Sequence, residues 1–265
     1  MEVEDKTLLK KTKKKHQQSK RTSWGPISAI AVTIGIYFGA QLLAVVILSL
    51  YATIRGFDEE LARNIIESSV AGQFVFILMV CGMSLYLLWL FMGRRNISWN
   101  DIGVKKPILS KLLYCIPAFA VYIIAVVFVM GLLRVLVPGV DTEQQQQIGF
   151  ESAHGAGQLI LVFLSLVILP ALLEEIMVRG FLYGGLVKKF PKISAALIAS
   201  TIFGMAHLQF GSGEPLLWVA AVDTFILSMT LIWLREKTGN IWAGVLVHMI
   251  KNTIAFISLF VLKIG

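Results

Sequence analysis

Apolar residues in this chain come in long runs rather than in alternation with polar ones. Seven runs, at 24–54, 71–92, 112–137, 158–187, 193–210, 215–234 and 240–262, are long and apolar enough to cross a bilayer as helices. The pattern therefore predicts an all-α, polytopic transmembrane helical bundle of about seven to eight membrane helices. The fourth run is long, carries Pro170 and ends amphipathic, which predicts a kink or a continuation along the interface. The runs 193–210 and 215–234 are the shortest, and no internal repeat is visible.

Composition agrees. Of 265 residues 57% are hydrophobic and only 15% charged, with a mean hydropathy of +0.77. A single soluble core could not hide that much apolar surface, so lipid is the expected solvent. The net charge of +8 is concentrated ahead of the first run, where Lys6, Lys10, Lys11, Lys13, Lys14, Lys15, Lys20 and Arg21 lie. Beside a membrane segment such a cluster reads as a cytoplasmic anchor to anionic lipid, not as a nucleic-acid site. The run from Trp24 to Ile54 exceeds a cleavable h-region and predicts an uncleaved signal anchor. Lys and Arg are frequent in 93–111, 188–192 and 235–239 and sparse in 55–70, 138–157 and 211–214. This alternation predicts a cytoplasmic N-terminus and an external end to the last helix. The organisation expected is a basic segment 1–23, N-terminal membrane helices and loops 24–157, and a catalytic membrane core 158–265. The Gln144–Gln147 tract carries no clear chemistry, and Cys81 and Cys115, both in apolar runs, suggest neither disulfide nor metal knuckle.

Ionisable groups inside spans are costly unless paired or facing water, and here they cluster. Glu174, Glu175 and Arg179 lie in the fourth run, His207 in the fifth, Asp223 in the sixth, and His248, Lys251 and Asn252 in the seventh. At about 1.5 Å per residue from the basic side, Glu174, His207 and Asn252 all lie about 20 Å deep, and His248 about 13 Å. Matched depth on three spans points to a shared polar cavity. Glu175 and Arg179 share a helix face and can pair, which leaves Glu174 free as a general base acting on water. His248 and Asn252 share a face as donors to an oxyanion, and His207 could complete the water site or bind a metal with Glu174. Lys251 lies at the depth of Asp223, which predicts an ion pair, with Glu174 as the rival partner and snorkelling to water as the alternative. Transporters also bury acids and histidines, but neither an inverted repeat nor paired broken helices accompany these.

The motifs resemble those of the CAAX-protease and bacteriocin-processing family, also called the Abi family of intramembrane proteases. Glu174-Glu175-Ile-Met-Val-Arg179 matches EExxxR, Phe203-Gly-Met-Ala-His207 matches FxxxH, and His248-Met-Ile-Lys-Asn252 matches HxxxN. Phe225-Ile-Leu-Ser228 stands where the family has FxxG, a small-for-small change that should preserve close helix packing. The resemblance covers about residues 170–255 and implies a helical bundle of about eight helices, with a cavity open to the cytoplasmic half and to lipid. It implies that Glu174 and His207 activate water, that His248 and Asn252 form the oxyanion site, and that Glu175, Arg179 and Phe203 support them. If a metal is used, the set is zinc on Glu174, His207 and His248; the donors do not decide the matter. The function expected is an intramembrane endopeptidase in a bacterial plasma membrane, acting on a membrane-associated, prenylated or leader-peptide substrate. The alternative is a non-catalytic membrane partner, such as a bacteriocin self-immunity protein or a sensor-kinase modulator.

Overall fold

The computed structural model describes residues 24–58, 60–61, 68–137, 139, 141–142, 144, 148–209 and 215–263. The basic segment 1–23, Glu59, Arg63, Glu67, Glu143, most of the glutamine tract and the 211–214 loop lie outside the described residues. The described chain is helical and contains no strand. Its helices are α1 (Pro26–Ile54), α2 (Val70–Arg94), α3 (Cys115–Leu136), α4 (Gly155–Leu186), α5 (Lys192–Met205), α6 (Trp218–Thr238) and α7 (Trp242–Val261). A 3-10 turn, Leu109–Tyr114, leads into α3.

Local chemistry explains the boundaries. Pro26 opens α1, where its missing N–H costs nothing, and the Ser28 hydroxyl accepts the Gly25 N–H at 3.0 Å. Ser69 caps α2 by accepting the Gly72 N–H at 3.0 Å. Gly239, at φ 74°, ends α6 in the left-handed conformation that glycine adopts without strain.

α1 buries a stripe of small residues, Ala29, Ala40, Ala44 and Ala52, and turns Phe38, Leu42 and Ile54 outward. Small residues permit close backbone approach, and outward-facing large apolar side chains suit lipid. Among the described residues six helices are long and apolar enough to cross a membrane. α5 is the exception and corrects the reading of 193–210 as a full span. It has 14 residues, about 21 Å of helix at 1.5 Å per residue, against roughly 30 Å of hydrocarbon. The helix stops at Met205 although apolar residues continue, because the backbone turns over Ala206 and His207 and Gln209 takes φ 53°.

The loops sort to two ends of the bundle. At one end the Ile241 N–H donates to Gly103, Lys111 reaches the Thr238 carbonyl, Lys192 pairs with Glu236, and Lys188 sits 3.4 Å over the Trp24 ring. This is the end rich in Lys and Arg. At the other end the Phe150 N–H donates to Gln73, Ser152 to the Ser68 carbonyl, and Gln144 to the Leu216 carbonyl.

A cluster of buried residues lies toward the basic end. Trp24, Ile102, Phe181, Leu186 and Ala199 are all buried in one cluster. The Trp24 indole donates to the Phe181 carbonyl at 2.8 Å and stacks on the Phe181 ring. α5 and α6 meet closely: a Cβ on Gly204 would lie 2.7 Å from the Ala221 carbonyl oxygen. Ser228, the residue that departs from FxxG, is fully buried in this contact and shares a 2.9 Å hydrogen bond with Ser200. The small-for-small change thus keeps the helices close and adds a polar link.

Candidate active site

α4 is a continuous helix with two wide turns. Residues Leu164–Ile168 and Glu175–Leu182 are π-helical. The first precedes Pro170. In a regular helix the N–H of residue 170 would donate to the Leu166 carbonyl, and proline has none. The amide of Asn252, from α7, donates to that carbonyl at 3.0 Å. Asn252, expected only as an oxyanion donor, therefore also repairs the break in α4 with one of its two amide protons. Asn252→Ala should lower thermal stability by about 0.5–1.5 kcal/mol, the usual net worth of one partly buried hydrogen bond. In a Pro170→Ala background, where the N–H of residue 170 returns, that cost should shrink. Equal costs in both backgrounds in a detergent melting series would remove the link.

The second wide turn presents the acidic pair. Glu175 and Arg179 are fully buried and 2.9 Å apart, as their spacing predicts. The guanidinium lies 4.4 Å over the Phe203 ring of α5, a cation–π contact that gives Phe203 its supporting place. Among the described residues the guanidinium nitrogens have no acceptor in hydrogen-bonding line, so the contact with Glu175 is ionic.

Glu175 does more than its spacing indicates. The same Oε1 that faces Arg179 lies 3.1 Å from His248 Nδ1. Space for this comes from Gly244 on α7, where a Cβ would stand 2.7 Å from Glu175 Oε2. A carboxylate facing Arg179 is an acceptor, so Nδ1 carries the proton and donates. That bond fixes the ring and aims Nε2 at Glu174 Oε2, 3.7 Å away. Glu174 itself is 27% exposed and lines a cavity of about 790 Å³.

His207 stands just past the end of α5 and lines the same cavity. Its Nδ1 lies 2.9 Å from the Phe203 carbonyl, which can only accept. Nδ1 therefore holds the proton and Nε2 is the acceptor in the neutral ring. Irregular backbone within a bundle is tolerated where it lines a cavity, and His207 lines this one. Glu174, His207, His248 and Asn252, expected together from their depth, all line this one space.

Lys251 pairs with Asp223 at 3.3 Å, the partner expected from equal depth, and the rival Glu174 is not used. The sequence reading missed the third member: Tyr122 of α3 donates to Asp223 at 2.6 Å. Both charges are partly exposed to the cavity, so screening reduces the pair's contribution. Asp223→Asn should lower thermal stability more than the same change combined with Lys251→Met. A double variant less stable than the single would end the proposed coupling.

Among the described residues no three His, Cys, Asp or Glu side chains are arranged to hold a metal ion. Neither Glu174 with the histidines nor the two cysteines forms such a group. The cavity is lined by the 148–154 loop, α4, α6 and α7, and no residue of the basic loops 93–111, 188–192 and 235–239 lines it. The resemblance implies the cytoplasmic half, which by charge would be the basic end. At that end the packed cluster around Phe181 and Leu186 lies beside a second, smaller cavity lined by Asn100, Lys105, Tyr183, Arg235 and Glu236.

The profile of the family described as type II CAAX prenyl endopeptidase Rce1-like matches residues 156–254, which contain all three motifs. Over residues 156–254 the chain is similar to the Rce1-like family. A Bacillus subtilis (strain 168) protein named "Putative membrane peptidase YdiL" is 27% identical over 155 residues, 58% of this chain and 59% of that protein. The chain thus spans about three fifths of that relative's length. No solved structure matches. With six apolar helices and this relative, the chain is a multi-pass bacterial membrane protein. The Rce1-like segment runs from the start of α4 almost through α7, so it supplies the polar lining of the cavity apart from the 148–154 loop and Lys263.

Proposed function

We propose that this protein is an intramembrane endopeptidase in which Glu174 removes a proton from a water held in the cavity. The supporting observation is the chain Arg179–Glu175–His248–Glu174, two buried charges that orient one histidine beside a carboxylate open to the cavity. Glu174 accepts the water proton, and the Nε2 of His207 accepts the hydrogen bond of the other. The water oxygen bonds to the peptide carbonyl carbon, and the carbonyl oxygen becomes the oxyanion. His248 in its protonated form and the second amide proton of Asn252 are the donors to it. The C–N bond then breaks as Glu174 returns its proton to the departing nitrogen, giving a carboxylic acid and an amine. Arg179 and Phe203 act only through Glu175.

The substrate is a peptide bond of a membrane-associated, prenylated or leader-peptide chain. The test is mass spectrometry of membrane and exported peptides from cells carrying wild type or Glu174→Ala. The wild type should generate fragments that the variant lacks. Identical peptide sets, with the cellular phenotype intact in the variant, would instead fit a non-catalytic partner such as an immunity protein or kinase modulator.

A further inference from the structure

The two buried guanidinium groups of the bundle are not treated alike. Arg179 has Glu175 at 2.9 Å, but Arg235, in the last turn of α6, pairs with no carboxylate among the described residues. Arg235 is half-buried, and its Nη1 is sealed from water with no hydrogen-bond acceptor. What it does meet is the Tyr183 ring of α4, 5.0 Å from the guanidinium carbon. The Tyr183 hydroxyl is itself buried without a partner. A guanidinium withdrawn from water with no counter-ion is costly, so this position calls for an anion.

Arg235 lines the second cavity, of about 160 Å³, together with Asn100, Lys105 and Tyr183. Two glycines make room for the guanidinium: a Cβ on Gly184 would stand 3.1 Å from Nη2, and one on Gly103 3.4 Å from Nε. Two acids also line the cavity, and both are engaged. Glu236 pairs with Lys192 at 2.5 Å, and Asp101 accepts from the Ser98 N–H and hydroxyl at 2.8 and 2.7 Å. The carbonyls at the end of α6 favour a cation, but Lys111 already answers that of Thr238.

The surroundings indicate where such an anion would come from. Trp99, Tyr114 and Trp233 are exposed at this end, with Tyr114 edge-on to Trp233. Trp242 donates its indole N–H to the Lys105 carbonyl. Tryptophan and tyrosine gather at headgroup level, so this cavity lies where lipid phosphates do. The loops 93–111, 188–192 and 235–239 hold five, three and two basic residues against Asp101 and Glu236 alone. Basic pockets between membrane helices suit anionic headgroups.

We propose that this second cavity is a phosphate site, occupied by the headgroup of an anionic lipid. Arg235 offers a planar, permanently charged group to the phosphate oxygens, and Lys105 adds a mobile charge from the rim. The Asn100 amide and the Tyr183 hydroxyl supply neutral donors. The volume admits a phosphate group and is well under the roughly 300–1,000 Å³ of pockets that enclose whole drug-sized ligands, so acyl chains stay outside. The two cavities share no lining residue, and the phosphate site stands independently of the endopeptidase reading.

The test is native mass spectrometry of the full chain, delipidated in detergent and titrated with dioleoyl phosphatidylglycerol, with dioleoylglycerol, which has the same tails and no phosphate, or with inorganic phosphate. Wild type should retain one phosphatidylglycerol per chain and little dioleoylglycerol. Arg235→Gln should weaken that retention by about tenfold or more, and Lys105→Gln by several-fold. Phosphatidylglycerol should raise the melting temperature of wild type and not of Arg235→Gln, because a ligand stabilises the folded state it binds. Without lipid, Arg235→Gln should melt no lower than wild type, since it removes a charge that has no partner. Equal lipid retention by wild type and Arg235→Gln, or equal retention of dioleoylglycerol, would overturn the proposal. So would a lipid-free Arg235→Gln that melts far below wild type or fails to fold, because the guanidinium would then be satisfied within the chain. Lys105 is exposed, so its variant keeps the fold, and unchanged retention there would remove it from the site. Inorganic phosphate that stabilises wild type but not Arg235→Gln, with no lipid retained, would overturn the lipid as source and assign the site to a free ion.

Discussion

Glu174→Gln should lower peptide cleavage by about 10²–10⁴-fold or more, the usual loss when a general base is removed. Glutamine keeps the size of the side chain and its contact distance to His248, but it cannot take a proton from water. Stability should change little. Glu174 is partly open to the cavity, and His248 keeps its bond to Glu175 when Glu174 is neutral. Turnover and thermal unfolding of the purified variant, in the same detergent, separate the two effects. Rates within a few-fold of wild type would remove Glu174 from the role of base. His207→Ala should show a comparable loss, since it takes away the acceptor Nε2 and leaves the Phe203 carbonyl to water.

The second large effect is on folding. Glu175→Ala and Arg179→Ala should each destabilise the protein by about 3–5 kcal/mol, because removing one member of a buried pair strands the other charge. Both side chains are fully buried, so water cannot reach the remaining group. The double variant should recover part of the loss, since no charge is then left alone. Activity should not recover with it. Without Glu175 the Nδ1 of His248 has lost its acceptor, and the ring is no longer aimed at Glu174. Melting temperatures and turnover of all three variants decide the matter. Additive stability losses would count against the pair, and restored turnover against the alignment of His248 by Glu175.

Much of this site is legible in the sequence because lipid makes polar residues conspicuous. Glu174, His207, His248 and Asn252 stand out in apolar runs, and a rise of about 1.5 Å per residue brings Glu174, His207 and Asn252 to one level, with His248 one turn from Asn252 on the same face. Asp223 and Lys251 were paired by the same reasoning. Tyr122 escaped it, because a tyrosine in an apolar run is ordinary and nothing in the spacing of α3 points toward α6. The bond from Glu175 to His248 was hidden for another reason. Helical spacing sorts neighbours within one helix, whereas this contact depends on a π-turn in α4 and on the missing side chain of Gly244 in α7. The length of α5 was overestimated because hydropathy continues past Met205. Apolar content does not mark where the backbone leaves the helix.

The bond between Leu166 and Asn252 has a consequence for inheritance. A helix interrupted at Pro170 is completed by a side chain 82 positions later, on a different helix. The interruption and its remedy form one unit divided between two distant stretches of gene. Recombination that exchanges α4 without α7 would separate them, so chimeras of relatives should tolerate crossovers outside this pair of helices better than between them. Within the Rce1-like segment, that asparagine is thereby held in place by architecture as well as by the chemistry proposed for it.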